Sequence, residues 1–94
     1  MDIRLYSDPE TGQPHIFEHG VTVDEVREVL RKPGEDRAGS EGSRVAIGQT
    51  SAGRYLKVIY VRDEVGDGIC VITAYDLEGK PLKAYRRRQR RRRR

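Results

Sequence analysis

The chain has 94 residues, of which 35% are hydrophobic and 36% charged, and its net charge at neutral pH is +4. This length accommodates one small domain with a modest core. The single cysteine excludes an internal disulfide, and no apolar run approaches the roughly 20 residues of a membrane span or forms a signal-peptide core. We therefore expect a cytoplasmic protein without a membrane partner.

The first 20 residues contain a short strand and a turn. Ile3 and Leu5 are typical of a strand, and residues 8–12 (Asp-Pro-Glu-Thr-Gly) combine the residue types that reverse the chain. Residues 15–18 fit either a returning strand or one helical turn, and the pattern leaves this choice open.

A helix is predicted to begin at Thr22. Thr22 and Glu25 have the spacing of a capping box, in which each side chain accepts a hydrogen bond from the other residue's backbone amide. The apolar residues that follow have helical spacing, namely Val23, Val26, Val29 and Leu30. Pro33 and Gly34 end the helix, and residues 32–43 are predicted to form a flexible loop because they contain no large apolar side chain.

Three strands are predicted over residues 44–50, 54–62 and 68–75, which are rich in β-branched and aromatic side chains. Their short connections require antiparallel neighbours, so they form a β-meander. Residues 82–88 are typical of the start of a terminal helix. The predicted fold is α+β, an antiparallel meander of three or more strands with one or two helices packed on one face.

Residues 86–94 consist of eight arginines and Gln89, so residues 1–85 carry −4 of the total charge of +4. We predict a single domain over residues 1–85 followed by an arginine-rich C-terminal tail over residues 86–94. A run of like charges is typical of a solvated, disordered tail, but it also suits contact with the phosphates of RNA or DNA, or with an acidic protein. The candidate nucleic-acid contacts are Arg86, Arg87, Arg88, Arg90 and Arg91.

Four segments together resemble a known family. They are residues 19–22 (His-Gly-Val-Thr) opening the helix, 47–48 (Ile-Gly), 53–58 (Gly-Arg-Tyr-Leu-Lys-Val) and 71–74 (Val-Ile-Thr-Ala). In this order they resemble BrnT-type toxins of the RelE-like superfamily of bacterial toxin–antitoxin modules, over roughly residues 15–85. The resemblance implies a RelE-like fold, RNA cleavage without a metal or other cofactor, and a cognate antitoxin as partner. Tyr85 matches the family's terminal tyrosine, whereas Tyr75 and Pro81 stand where the family usually has arginine and glutamate.

Metal-independent RNA cleavage requires groups that move protons and cations that stabilise the phosphorane. Arg54, which matches the family's Gly-Arg pair, and Arg44 are candidate phosphate contacts, and His19 is a candidate acid or base. Tyr75 is a candidate for base stacking or phosphate contact. The structural alternatives are a solvent-exposed charge at a hairpin end for Arg54, an exposed charge for Arg44, a backbone contact for His19 and a core-edge position for Tyr75.

Three functions remain open from the sequence. The first is a toxin-like, metal-independent endoribonuclease, with Arg54, Arg44, His19 and Tyr75 as its catalytic residues. The second is a non-catalytic module of the same fold that binds nucleic acid chiefly through the arginine run, and the third is a module that docks an acidic protein. His15 and His19 are spaced for zinc on a helix, but nothing completes a site, so we expect no metal.

Overall fold

The computed structural model describes residues 1–92, which form a five-stranded sheet with three helices packed on it. The elements in chain order are β1 Ile3–Leu5, α1 His15–Glu18, α2 Val23–Arg31, β2 Glu35–Ala38, a 3-10 turn Ser40–Gly42, β3 Arg44–Gln49, β4 Tyr55–Arg62, β5 Ile69–Asp76 and α3 Gly79–Arg92. The strand order across the sheet is β1-β5-β4-β3-β2.

Strands β3, β4 and β5 form the predicted antiparallel meander, which confirms the α+β class. Gly53 in the β3–β4 connection has a φ of 94°, the conformation that favours glycine in a tight hairpin turn. The structure adds β1, which pairs with β5 in parallel, so the sheet is mixed. A parallel neighbour is possible here because the long segment between β1 and β5 provides the crossover.

The main core lies between the sheet and the first two helices. Alternate residues of β4, beginning at Leu56 and Val58, are buried with Ile16 of α1 and with Val26 and Val29 of α2. The α2 helix begins with the predicted capping box, since Thr22 and Glu25 exchange both backbone-to-side-chain hydrogen bonds. Residues 15–18, for which the sequence left a strand and a helical turn open, form the short helix α1.

Helix α3 covers the opposite face of the sheet. Tyr55 and Ile47 pack with Leu82 and Tyr85 in a second apolar cluster, and Tyr55 points away from its neighbour Leu56 in the main core. The helices therefore divide between the two faces, whereas the sequence predicted them on one face. Residues 86–92 continue α3, and residues 93 and 94 of the predicted tail lie outside the described residues.

The predicted loop over residues 32–43 contains an additional strand, so that prediction was wrong for residues 35–38. Strand β2 pairs with β3 in the antiparallel sense, from Glu35 opposite Ile47 to Ala38 opposite Arg44. Its sequence (Glu-Asp-Arg-Ala) lacks the apolar alternation of a half-buried strand. Ion pairs and hydrogen bonds hold β2 instead, because Glu35 contacts Arg88 and Asp36 contacts Arg44.

Candidate nucleic-acid interface

Helix α3 presents a line of cations to solvent. Most residues of α3 are basic and none is acidic. Basic residues that follow one another at intervals of three or four lie on the same side of the helix. We call this the basic face of α3, and its members are Lys80, Lys83, Arg87, Arg90 and Arg91. All five are exposed, and none forms an ion pair with a carboxylate within residues 1–92. From Lys80 to Arg91 the line extends about 16 Å along the helix axis.

The opposite side of α3 attaches the helix to the sheet. Arg88 Nε and Nη2 donate to the carboxylate of Glu35, and Gln89 Nε2 donates to the carbonyl oxygen of Gly34 at 3.1 Å. Arg92 Nη1 donates to the same carbonyl at 2.7 Å. The hydrogen bond from Arg88 lowers the pKa of Glu35. Of the five predicted nucleic-acid contacts, Arg88 is therefore committed to the protein itself.

Arg86 lies between these two sides of the helix. It is exposed, and its guanidinium carbon lies 5.9 Å from the ring centre of Tyr55 on β4, within the range of a cation–π contact. Arg86 thus faces a cleft between α3 and the β3–β4 end of the sheet, whereas Arg87, Arg90 and Arg91 belong to the basic face.

Arg54 binds within the protein through every donor group of its side-chain head. Its Nε and Nη2 donate to the carboxylate of Asp76 at 2.7 and 3.1 Å, and Nη1 donates to Glu25 at 3.1 Å. Nη1 and Nη2 also reach the carbonyl oxygens of Gly20 and His19. Arg54 therefore joins the start of α2, the end of α1 and the end of β5.

These contacts shift the pKa values of Arg54 and of its two carboxylate partners. The hydrogen bonds from Arg54 lower the pKa of Asp76, and those from the Thr22 backbone and from Arg54 lower the pKa of Glu25. The pKa of Arg54 itself is raised, chiefly by its hydrogen bonds to Asp76. With two carboxylates beside it, Arg54 has no excess positive charge to offer a phosphate in this arrangement.

His19 and Tyr75 lie together at one corner of the sheet. Their ring centres are 5.7 Å apart, and Lys57 Nζ lies 5.9 Å from the centre of the Tyr75 ring. Lys57 pairs with Tyr75 across β4 and β5, so both side chains lie on the α3 face of the sheet. His19 is exposed, and its backbone is held by Arg54.

Arg44 lies far from this corner. It pairs with Tyr60, whereas the β3–β4 connection that carries Arg54 adjoins Tyr55, five residue steps or roughly 17 Å away along β4. Arg44 Nε donates to Asp36 at 2.9 Å, and this contact raises the pKa of the arginine. The structure thus brings His19, Tyr75 and the Arg54 network together and leaves Arg44 apart.

The sequence predictions did not include two members of the basic face, nor Gln49 and Tyr55 in the neighbouring cleft. Lys80 and Lys83 precede the arginine run, and the signal that links them to Arg87 and Arg91 is their spacing of three and four residues. Gln49 and Tyr55 carried no signal, because their position beside α3 follows from packing between distant parts of the chain.

No protein-family model matches this chain, and no similar curated protein was found. Within residues 1–92, none of the helices has the length and apolar character needed to cross a bilayer. The same residues contain no group of three or more His, Cys, Asp or Glu side chains placed to hold a metal ion.

Proposed function

We propose that this protein is a nucleic-acid-binding module whose contact surface is the basic face of α3. The observation that carries the proposal is that Lys80, Lys83, Arg87, Arg90 and Arg91 are exposed on one side of a helix that contains no acidic residue. Closely spaced cations of this kind release counterions from a phosphate backbone when they bind it.

The charge distribution around α3 supports this function. Residues 1–85 carry a net charge of −4, so the excess positive charge of the chain lies in its C-terminal arginine run, most of which belongs to α3. Arg88, Gln89 and Arg92 fix that helix on the sheet, which orients the basic face before any partner arrives. A pre-ordered surface loses less conformational entropy on binding than a disordered tail does.

Charge removal on the basic face tests the proposal. In Lys83→Gln/Arg87→Gln/Arg91→Gln, the inward contacts of α3 remain, which deletion of residues 86–94 would not allow. The matched control, Arg27→Gln/Arg31→Gln/Arg37→Gln, removes the same charge from α2 and β2. Affinity for a labelled single-stranded RNA is measured by fluorescence anisotropy at several salt concentrations.

We expect the first variant to bind more weakly and its slope of log K against log salt to decrease by about 2, at roughly 0.7 for each of three phosphate contacts. The control should keep most of the affinity and the wild-type slope. Equal effects of the two variants, or no RNA binding by the folded wild type, would contradict the proposal.

A second candidate function is the metal-independent endoribonuclease implied by the resemblance to BrnT-type toxins, with an antitoxin as its protein partner. The contact between His19 and Tyr75, with Lys57 beside the tyrosine ring, favours it. These groups offer an acid or base, a hydroxyl and a cation next to one another. The role of Arg54 here is to position the His19 backbone.

Incubation of RNA with the protein in EDTA tests this second function. Cleavage that is lost in His19→Ala and reduced in Tyr75→Phe supports it, whereas Arg54→Ala is unsuitable because it removes a structural network. Intact RNA after incubation with folded protein, free of any partner, would reject the nuclease and leave the binding function in place.

A further inference from the structure

A cleft of about 290 Å³ lies between α3 and the β3–β4 end of the sheet. Four of its lining residues carry the inference, namely Gln49, Tyr55, Arg86 and Gln89, and Arg90 of the basic face also borders it. The cleft therefore adjoins the surface proposed to bind phosphates. A nucleic-acid strand bound along the basic face would pass the opening of the cleft.

The Tyr55 ring, which forms one wall of the cleft, is held in place by Tyr85. Tyr85 is buried and packs edge-to-face against Tyr55, with ring centres 6.1 Å apart and planes at 72°. Tyr55 is only half-buried, and the Arg86 guanidinium lies over its ring. A planar base inserted between the ring of Tyr55 and the exposed side chain of Arg86 would stack on both.

The two glutamines give the cleft hydrogen-bond acceptors as well as donors. Gln49 Nε2 donates to the carbonyl oxygen of Gly53 at 3.2 Å, and Gln89 Nε2 donates to that of Gly34 at 3.1 Å. Each amide is thereby oriented, and its Oε1 accepts no hydrogen bond from residues 1–92. A phosphate has only acceptors to offer such oxygens, whereas the edge of a nucleobase carries both donors and acceptors.

We propose that this cleft binds one unstacked base of a single-stranded nucleic acid whose phosphates lie along the basic face of α3. The base stacks on Tyr55, its donors contact the glutamine oxygens, and Arg86 and Arg90 contact its acceptors. This inference rests on the proposed nucleic-acid-binding function and adds the class of ligand, because a duplex keeps its bases stacked and does not present one to the cleft.

The side-chain amides provide a direct test in the wild-type protein. The chain has three glutamines and no asparagine, so a nitrogen–proton correlation spectrum contains three side-chain amide pairs, and Gln13 in the N-terminal turn is an internal control. The probes are a six-nucleotide RNA, an abasic strand of equal length and charge, an RNA duplex, and an acidic peptide of equal charge.

We expect the base-bearing RNA to shift the side-chain amide resonances of Gln49 and Gln89 and to leave that of Gln13 unchanged. The other three probes should leave all three glutamine resonances nearly unchanged. Binding of the RNA without these shifts, or equal shifts with the abasic strand, the duplex or the peptide, overturns the base site. If neither the RNA nor the abasic strand binds, the basic-face function fails as well, which separates the two failures.

A substitution at Tyr55 tests how much base stacking contributes to the affinity for RNA. Tyr55→Leu keeps an apolar contact for Tyr85 but removes the stacking surface, and Tyr6→Leu changes an exposed tyrosine at the distant β1 edge. Because one stacked base is lost, we expect Tyr55→Leu to bind the base-bearing RNA at least about fivefold more weakly than the wild type does. Its affinity for the abasic strand should not change. A parallel loss for both strands, or an equal loss in Tyr6→Leu, contradicts the base site.

Discussion

Arg88 and Glu35 join the arginine-rich helix to the edge strand of the sheet. The guanidinium Nε and Nη2 donate to the two carboxylate oxygens, with Nη2 at 2.8 Å, and the Glu35 side chain is only 13% exposed. Such paired contacts are stronger and more directional than a single charged hydrogen bond. This one holds a helix of like charges in a defined position.

Loss of this pair should destabilise the protein. We expect Arg88→Ala to lower the free energy of unfolding by about 1 kcal/mol, since the pair is well aligned but Arg88 is partly solvated. Arg87→Ala, on the basic face, should change it by less than about 0.5 kcal/mol. Urea denaturation measures both, and indistinguishable values for the two variants would show that α3 is not fixed by this contact.

The Arg54 network should make stability depend on pH below about 4. The pKa values of Asp76 and Glu25 are lowered from their ordinary 3.8 and 4.5, so these groups stabilise the fold above those values. That contribution is lost as the pH falls through the lowered pKa values, where both carboxylates take up protons.

Arg54→Ala removes the main cause of the Asp76 shift. At pH 7 we expect a loss of about 2–3 kcal/mol in the free energy of unfolding, because two part-buried carboxylates lose their partner. The difference from wild type should shrink as the pH falls from 7 through the lowered pKa values of Asp76 and Glu25, where the carboxylates take up protons. Denaturant titrations across this range measure it, and a difference that stays constant with pH would argue against a charge-based role.

Close packing at Gly34 provides a test of the α3 position. A Cβ atom on Gly34 would collide with Tyr85 Oη and lie 2.9 Å from Cζ of the same ring. Gly34→Ala should therefore destabilise by about 1–3 kcal/mol through overpacking. Tyr85→Phe removes the nearest atom, so the double variant should recover part of that loss in a double-mutant cycle. Strict additivity would mean that the two residues do not touch.

Repulsion along the basic face should make stability respond to salt. Lys83, Arg87 and Arg91 follow at intervals of four residues, and each such like-charge pair costs roughly 0.2–0.5 kcal/mol in a helix. Raising salt from about 0.05 to 0.5 M screens this repulsion, and it also weakens the ion pairs that the wild type and the variant share. Lys83→Gln/Arg87→Gln/Arg91→Gln should therefore have the higher Tm at low salt, and its difference from the wild type should shrink at high salt. A lower Tm for this variant at low salt would contradict the expected repulsion.

The elements that sequence reasoning predicted are those with a local signal. The start of α2 is encoded locally by the capping box of Thr22 and Glu25. The meander is encoded by its short connections, with Gly53 at the tight turn. Strand β2 lacks such a signal, since its stabilising partners Arg88 and Arg44 lie elsewhere in the chain. The same limit applies to Arg54, whose carboxylate partners are 22 and 29 residues away.

For the candidate interface, the sequence by itself determined that positive charge is concentrated at the C-terminal end, because composition alone sets that charge. Only the tertiary structure decided which cations face solvent. Arg88 turns toward Glu35, 53 positions earlier, while Arg87 and Arg91 turn outward. The division depends on how α3 packs against the sheet, and that packing joins residues whose separation along the chain leaves no periodic pattern to detect.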